Sequence, residues 1–278
     1  MENLGAILAR LRTRKTSSQG SQILPSNVSP SDFQREETCP HGGMVRLYRS
    51  VPGQPWTEDN PCPECWTERR KARLYATSGI PDIYWPGGAE PATFESFDLA
   101  LNRQMEEPRQ LARGYCEDGA PPWLVLVGPA GNGKTHLAKA IGITFLERLA
   151  RVRFWVVPAF LDQLRATFAP ESLKNFEEEM RYLAYVPDLV VMDDYGTQSG
   201  TPWANERLYL VLNLRYEKRL RTVVTCNRPE ALQDEDRIRS RLYDTSICQV
   251  VHCRGEDVRP KLRDWRTKRD GDYIHENT

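Results

Sequence analysis

The chain has 278 residues, in which 38 Lys and Arg balance 38 Asp and Glu, and its sequence pI is near 6.9. That length allows one large α/β domain with a small extra module. Zero net charge excludes the basic bulk of a protein that coats nucleic acid, so any DNA contact must be local. There is no apolar leader and no run of bilayer length, and the cysteines lack the spacing of a disulfide framework. A cytoplasmic protein without membrane contact is expected.

Near the N-terminus, Leu4, Ile7, Leu8 and Leu11 fall at i, i+3, i+4 and i+7, with Arg10, Arg12, Arg14 and Lys15 beside them. This predicts a short amphipathic, basic helix over residues 1–15, too short to hold itself folded, which docks either on its own domain or on a partner. Residues 16–35, rich in Ser, Gln, Gly, Asn and Pro, read as a flexible linker. Residues 36–76 read as a metal module and a connecting helix. Cys39 and His41, then Cys62 and Cys65, supply three thiolates and one imidazole, a set that tetrahedral structural Zn²⁺ accepts. The stretch from Glu36 to Asn60 lacks the apolar density for a core, so metal would have to supply the folding energy. The rival reading, a redox C-x-x-C, lacks the thioredoxin-like βαβ unit around it. Arg69, Arg70, Lys71 and Arg73 read as a solvated helix face.

From Trp123 onward, apolar runs alternate with helical stretches, the pattern of a parallel sheet with helices on both faces. Trp123–Val127 is the first strand. It runs directly into Gly128, Pro129, Ala130, Gly131, Asn132, Gly133, Lys134 and Thr135, a complete G-x-x-x-x-G-K-[ST] loop, and His136 continues into a helical stretch that reaches about Leu149. In this setting backbone N–H groups converge on phosphate oxygens. Lys134 adds charge at the β/γ end, and the Thr135 hydroxyl can ligate Mg²⁺. The second strand is Arg153–Val157, with a helix from Ala159 and a further helical segment over Ala169–Leu183, acidic at Glu177–Glu179. The third strand starts at Asp188 and ends in Asp193 and Asp194. There Asp193 is placed to hold Mg²⁺ through its water shell and Asp194 to polarise an attacking water. A helix over Trp203–Lys218 precedes the fourth strand, Thr222–Thr225, which delivers Asn227 to orient water or the terminal phosphate. Asp236–Tyr243 is a short helical stretch with Arg237, Arg239 and Arg241, whose bland reading is a solvated face. Ile247–His252 closes a five-stranded sheet, and the charged tail 263–278 is expected to fray.

Several of these residues carry a resemblance. Gly133-Lys-Thr-His-Leu-Ala138, Ser78-Gly-Ile-Pro81, Ala92-Thr-Phe-Glu-Ser-Phe97, Met192-Asp-Asp-Tyr-Gly196 and Leu214-Arg-Tyr216 ahead of Thr225-Cys-Asn227 resemble the DnaC/DnaI-type helicase-loader and IstB-like branch of the AAA+ ATPases, over roughly residues 78–262. The resemblance implies an AAA+ P-loop core over residues 77–262 that binds ATP and Mg²⁺, with Asp193 and Asp194 as Walker B and Asn227 as sensor 1. It further implies an arginine finger supplied in trans by Arg241, or by Arg237 in a shifted register, and Arg259 as sensor 2. Self-association through ATP-bridged interfaces follows. Its partners would be a hexameric replicative helicase and single-stranded DNA, met by Arg165, Lys174 and Arg181. Asp194 stands where most AAA+ members have Glu, which implies slow, switch-like hydrolysis. An IstB-like ATPase that assists a transposase on duplex DNA shares every core motif, and a nucleotide-gated interaction module with negligible turnover is the alternative of another class.

Overall fold

Five apolar runs pair with one another, and the three central ones are buried along nearly their whole lengths, because a parallel strand covered by helices on both faces has no polar side to show. In the computed structural model, which describes residues 33–36, 44–49, 56–61, 63–80, 91–166, 176–197, 201–228, 230 and 236–261, they form one sheet. The chain divides into two compact units, residues 1–76 and 77–278. The helix expected over residues 1–15, the linker ahead of Phe33 and the tail 263–278 lie outside the described residues.

In the first unit, β1 (Phe33–Glu36), β2 (Met44–Arg49) and β3 (Trp56–Pro61) form an antiparallel meander, with Phe33 opposite Arg49 and Arg49 opposite Trp56. Helix α1 (Pro63–Thr77) follows. Strands thus lie in the stretch from Glu36 to Asn60, read as lacking the apolar density for a core, and the sequence reading assigned none of them. Met44-Val-Arg-Leu-Tyr-Arg49 is short and β-branched or aromatic at two positions only, but paired on both sides it makes a central strand.

The second unit holds the five-stranded parallel sheet in the order β5-β6-β7-β4-β8. Its strands are β4 (Trp123–Val127), β5 (Val152–Val156), β6 (Leu189–Tyr195), β7 (Arg221–Cys226) and β8 (Cys248–His252). The expected α/β class and five-stranded parallel sheet are present. Ahead of β4, a 3₁₀ turn at Arg103–Met105 leads into α2 (Glu106–Gly114), an element the sequence reading passed over; Pro108 sits in its first turn, where the missing N–H costs nothing. The remaining helices are α3 (Lys134–Glu147), α4 (Val157–Ala166), α5 (Phe176–Tyr185), α6 (Pro202–Glu217) and α7 (Asp236–Leu242). Among the described residues no helix is long and apolar enough to cross a membrane.

Alternation along the strands sorts the core into two layers. Trp123, Val125 and Val127 of β4 and Val190 and Met192 of β6 pack with Phe160, Leu161 and Leu164 of α4, Leu208, Val211 and Leu212 of α6, and Ile238 and Leu242 of α7. Leu124 and Leu126, equally buried, face the other way, where α3 packs on β5, β6 and β7.

Arg215 of α6 lies within this packing at 0 % exposure. Its guanidinium donates to the Thr222 hydroxyl (3.1 Å), to the Ala184 and Pro187 carbonyls (3.3 Å each) and to the Arg221 carbonyl (2.8 Å), joining α6 to the end of α5 and the start of β7. Burial brings its pKa down to about 10, which still leaves it charged at neutral pH. Arg215→Met keeps the length and removes every donor, leaving those carbonyls without their partner. The expected cost is about 2–4 kcal/mol, read as a lower midpoint of urea unfolding; an unchanged midpoint would show that the staple carries no stability.

Candidate functional site

The site begins where β4 ends. Cys253, just past β8, donates its N–H to the Val127 carbonyl (2.7 Å) and accepts at its own carbonyl from Asn132 Nδ2 (2.9 Å), so the continuation of β8 pins the loop from outside. Val258 N–H reaches the Gly131 carbonyl at 3.0 Å. Gly131 and Gly133 have φ of +78° and +107°, and a Cβ at Gly133 would stand 2.7 Å from the Phe97 ring, so the loop's course there requires glycine. Helix α3 starts at Lys134, and its first amides point out of the helix beneath the loop. Lys134, 4 % exposed, donates to the Pro129 carbonyl (2.6 Å) and Asn132 Oδ1 (3.1 Å). Burial pulls its pKa down, opposed by the nearby Cys253, Asp194 and Asp193.

The two carboxylates come from β6. In a regular strand adjacent side chains point to opposite faces, yet Asp193 meets Thr135 at the end of the phosphate loop while Asp194 lines the cleft beside that loop. Asp194 adopts φ +57°, a left-handed conformation that Asp tolerates better than most residues, and β6 slips register against β7 between Met192 and Tyr195. Asp193, 2 % exposed, accepts from the Thr135 hydroxyl at 3.0 and 3.1 Å and from the Thr225 hydroxyl at 2.6 Å. Its pKa is raised by burial and by the neighbouring Asp194, against the pull of the Thr225 and Thr135 hydrogen bonds. Asp194 Oδ1 accepts from Asn227 Nδ2 at 2.8 Å. Thr135 and Asp193 thus present hard oxygen donors side by side, the chemistry Mg²⁺ takes.

Lys134, Thr135, Asp194 and Asn227 line one side of a cleft of about 280 Å³. On its other wall, Phe97, Leu101 and Asn102 come from the approach segment and Val258 from the segment after β8, none of them foreseen from sequence, together with Arg259, which the resemblance had placed at the nucleotide. Asn102 Nδ2 ties the walls together by donating to the Glu256 carbonyl (3.2 Å) and the Asn132 carbonyl (3.4 Å). For the approach-segment part of this wall, the sequence signature Ala92–Phe97 was the hint. Arg259 is on the cleft with its side chain largely exposed. His136 also borders the cleft, but its Nε2 is bonded to the Thr93 carbonyl at 2.7 Å and its ring meets Phe97 edge-on. A carbonyl only accepts, so Nε2 carries the proton. Motif adjacency places His136 among nucleotide ligands; in the structure its ring fastens the Thr93–Phe97 strap on α3.

The α7 arginines lie off the cleft. Arg241 is held against α6, donating to Asn213 Oδ1 (2.9 Å), the Arg237 carbonyl (2.6 Å) and Tyr209 Oη (3.2 Å), with its guanidinium over the Tyr209 and Tyr216 rings. Arg237 is exposed, 5.7 Å from the Tyr209 ring centroid. Of the expected DNA contacts, Arg165 pairs with Asp162 (2.7 Å) and lies over Trp203, Arg181 is exposed on α5, and Lys174 lies outside the described residues. Of the expected zinc ligands, Cys65 is half-buried in α1, while Cys39, His41 and Cys62 lie outside the described residues. Among the described residues no group of three or more His, Cys, Asp or Glu side chains could hold a metal ion.

A family model for the IstB-like ATP binding protein matches residues 90–264, which include the phosphate loop, both carboxylates, Asn227, the α7 arginines and Arg259. The chain is 28% identical over 186 residues to the chromosomal replication initiator protein DnaA of Geobacter sulfurreducens, covering 66% of this chain and 40% of that protein. To DnaA of Bartonella quintana it is 32% identical over 156 residues, covering 54% and 31%. It therefore spans less than half the length of these curated relatives. The structure of AMPPCP-bound DnaA from Aquifex aeolicus shares the fold, with a TM-score of 0.52 and 21% identity over 67% of this chain and 60% of that one. The family match takes in well over half of the chain: it belongs to the IstB-like ATP-binding proteins.

Proposed function

We propose that this protein is an ATP-hydrolysing AAA+ assembly factor that delivers a hexameric replicative helicase onto single-stranded DNA. The observation that supports the ATPase reading is the junction of three strand ends, where Thr135 meets Asp193 and Asn227 meets Asp194. In this reading Lys134 and the first amides of α3 bind the triphosphate, exchanging the loop oxygens that Lys134 holds for those of the phosphates. Thr135 and Asp193 hold Mg²⁺, which when bound neutralises charge on the β- and γ-phosphates. Asn227 fixes the Asp194 carboxylate at 2.8 Å, and Asp194 takes the proton of the attacking water. Phe97, Leu101 and Val258 offer apolar surface to the base. Among the described residues Arg259 is the one cation lining the cleft besides Lys134, and in this reading an α7 arginine of a second subunit, Arg237 or Arg241, completes the site.

The replicative role draws support from the curated relatives, which are named as replication initiators, and from a solved DnaA of the same fold bound to AMPPCP and single-stranded DNA, with a TM-score of 0.53 and 21% identity. Residues 1–15 grip the helicase in this reading, and Cys39, His41, Cys62 and Cys65 hold a structural zinc ion. A second reading, an ATPase that assists a transposase on duplex DNA, is favoured by the IstB-like description of the matching family.

Lys134→Ala is expected to abolish binding of ATP in equilibrium dialysis, and unchanged affinity would remove the basis of the reading. Asp194→Asn is expected to bind ATP as the wild type does while phosphate release falls by about 10²-fold or more; a full rate in this variant would release Asp194 from its role. Elemental analysis should find one zinc per chain, lost in the Cys62→Ser, Cys65→Ser variant, and a zinc-free wild type would end that assignment. Native mass spectrometry with the replicative helicase of the same source and ATP decides between partners: a discrete complex lost on trimming residues 1–15 supports the loader, whereas no complex, with filaments on duplex DNA, supports the transposition role.

A further inference from the structure

Strands β6 and β7 run in parallel register from Leu189 opposite Arg221 to Met192 opposite Val224, and pairing resumes with Tyr195 opposite Cys226. Two residues of β6, Asp193 and Asp194, therefore stand against one residue of β7, Thr225. This is a bulge, and a bulge leaves a backbone amide without its ladder partner. Here the Asp194 N–H is bonded instead to the Thr225 hydroxyl oxygen at 3.0 Å. The same hydroxyl has a single proton, and it goes to Asp193 Oδ1 at 2.6 Å. Thr225 is 1 % exposed, so water is a poor substitute for either bond.

We infer that Thr225 is the positioning residue for both acidic groups of the site: its hydroxyl holds the bulge that turns two consecutive carboxylates towards the phosphate loop. Without it, Asp194 N–H has no acceptor in the bulged form, and the strand gains by closing into regular register. A one-residue slip reverses the face that a side chain occupies, which would carry Asp194 away from Asn227 and from the cleft. Asp193 is held from the other side by Thr135 and is less affected. Thr225 touches the Asp193 carboxylate and the Asp194 backbone and is not among the residues lining the cleft. Its removal should therefore act on turnover and leave binding nearly intact.

The inference rests on the ATPase reading, and the experiment separates the two. Thr225→Val keeps the branched shape in a buried strand and deletes the hydroxyl; Thr225→Ser keeps the hydroxyl and deletes a methyl group. With the full chain, ATP turnover is measured at saturating Mg²⁺, affinity is measured with a fluorescent ATP analogue, and folding by thermal unfolding. The expected result for Thr225→Val is a kcat lower by about 10²-fold with analogue affinity within about 3-fold of wild type. Thr225→Ser should recover most of the turnover. Wild-type turnover in Thr225→Val overturns the inference. So does a Thr225→Ser variant that is folded yet as slow as Thr225→Val, since shape and not the hydroxyl would then be the cause, or a Thr225→Val variant that loses affinity and turnover together. A wild type that binds the analogue but does not turn over ATP defeats the hydrolysis reading itself, and the inference with it.

Discussion

Two neighbouring carboxylates cannot face one side of a regular strand, and the site depends on how this strand escapes that rule. The left-handed turn at Asp194 and the register slip beside it let β6 present Asp193 and Asp194 to the same loop. Once both are there, their partners follow from the sheet order. β7 lies between β6 and β4, so Thr225 and Asn227 at its end can reach both acids, and β4 carries the phosphate loop to their other side. Thr135, at the start of α3, then meets Asp193 without any further adjustment of the backbone.

The same economy of placement holds the loop from behind. Its backbone oxygens and the Asn132 amide are tied to Cys253, Val258 and Asn102, residues far apart in the chain. Binding loops are stiff when their polar backbone groups are committed in this way, and a stiff loop loses little entropy on closing around phosphate. The walls of the cleft are by-products of these bonds. Asn102 brings Phe97 and Leu101 to one side, and the segment hooked at Val258 brings Arg259 to the other.

Much of this was legible in the sequence, for a physical reason. Trp123–Val127 and the run from Leu189 to Met192 are continuous apolar stretches because both faces of a parallel sheet are covered, and the loop after Val127 is recognisable because few residues other than glycine fit its turns. Strand and helix ends shifted by one or two residues, as at Val152 and Val157, where the next element's residues are just as apolar. Other features left no local trace. The slip at Asp193 depends on what lies opposite it in β7, 32 residues away. That the His136 ring bonds Thr93, 43 residues earlier in the chain, is visible only in the fold. The meander over residues 33–61 was missed because its central strand takes its character from its two neighbours.

In the proposed reading, chemistry at the cleft is completed between subunits. Arg237 and Arg241 stand together on α7, away from the cleft of their own chain, with Arg241 held by Tyr209 and Asn213 and Arg237 exposed beside the Tyr209 ring. The most direct measurement mixes two inactive proteins, one carrying Asp194→Asn and the other carrying Arg237→Ala and Arg241→Ala, and follows phosphate release from ATP. If sites are shared, interfaces that join an intact Asp194 to intact arginines form in the mixture and turnover returns. A mixture that binds ATP and associates, yet stays as inactive as its components, would contradict a site built from two subunits.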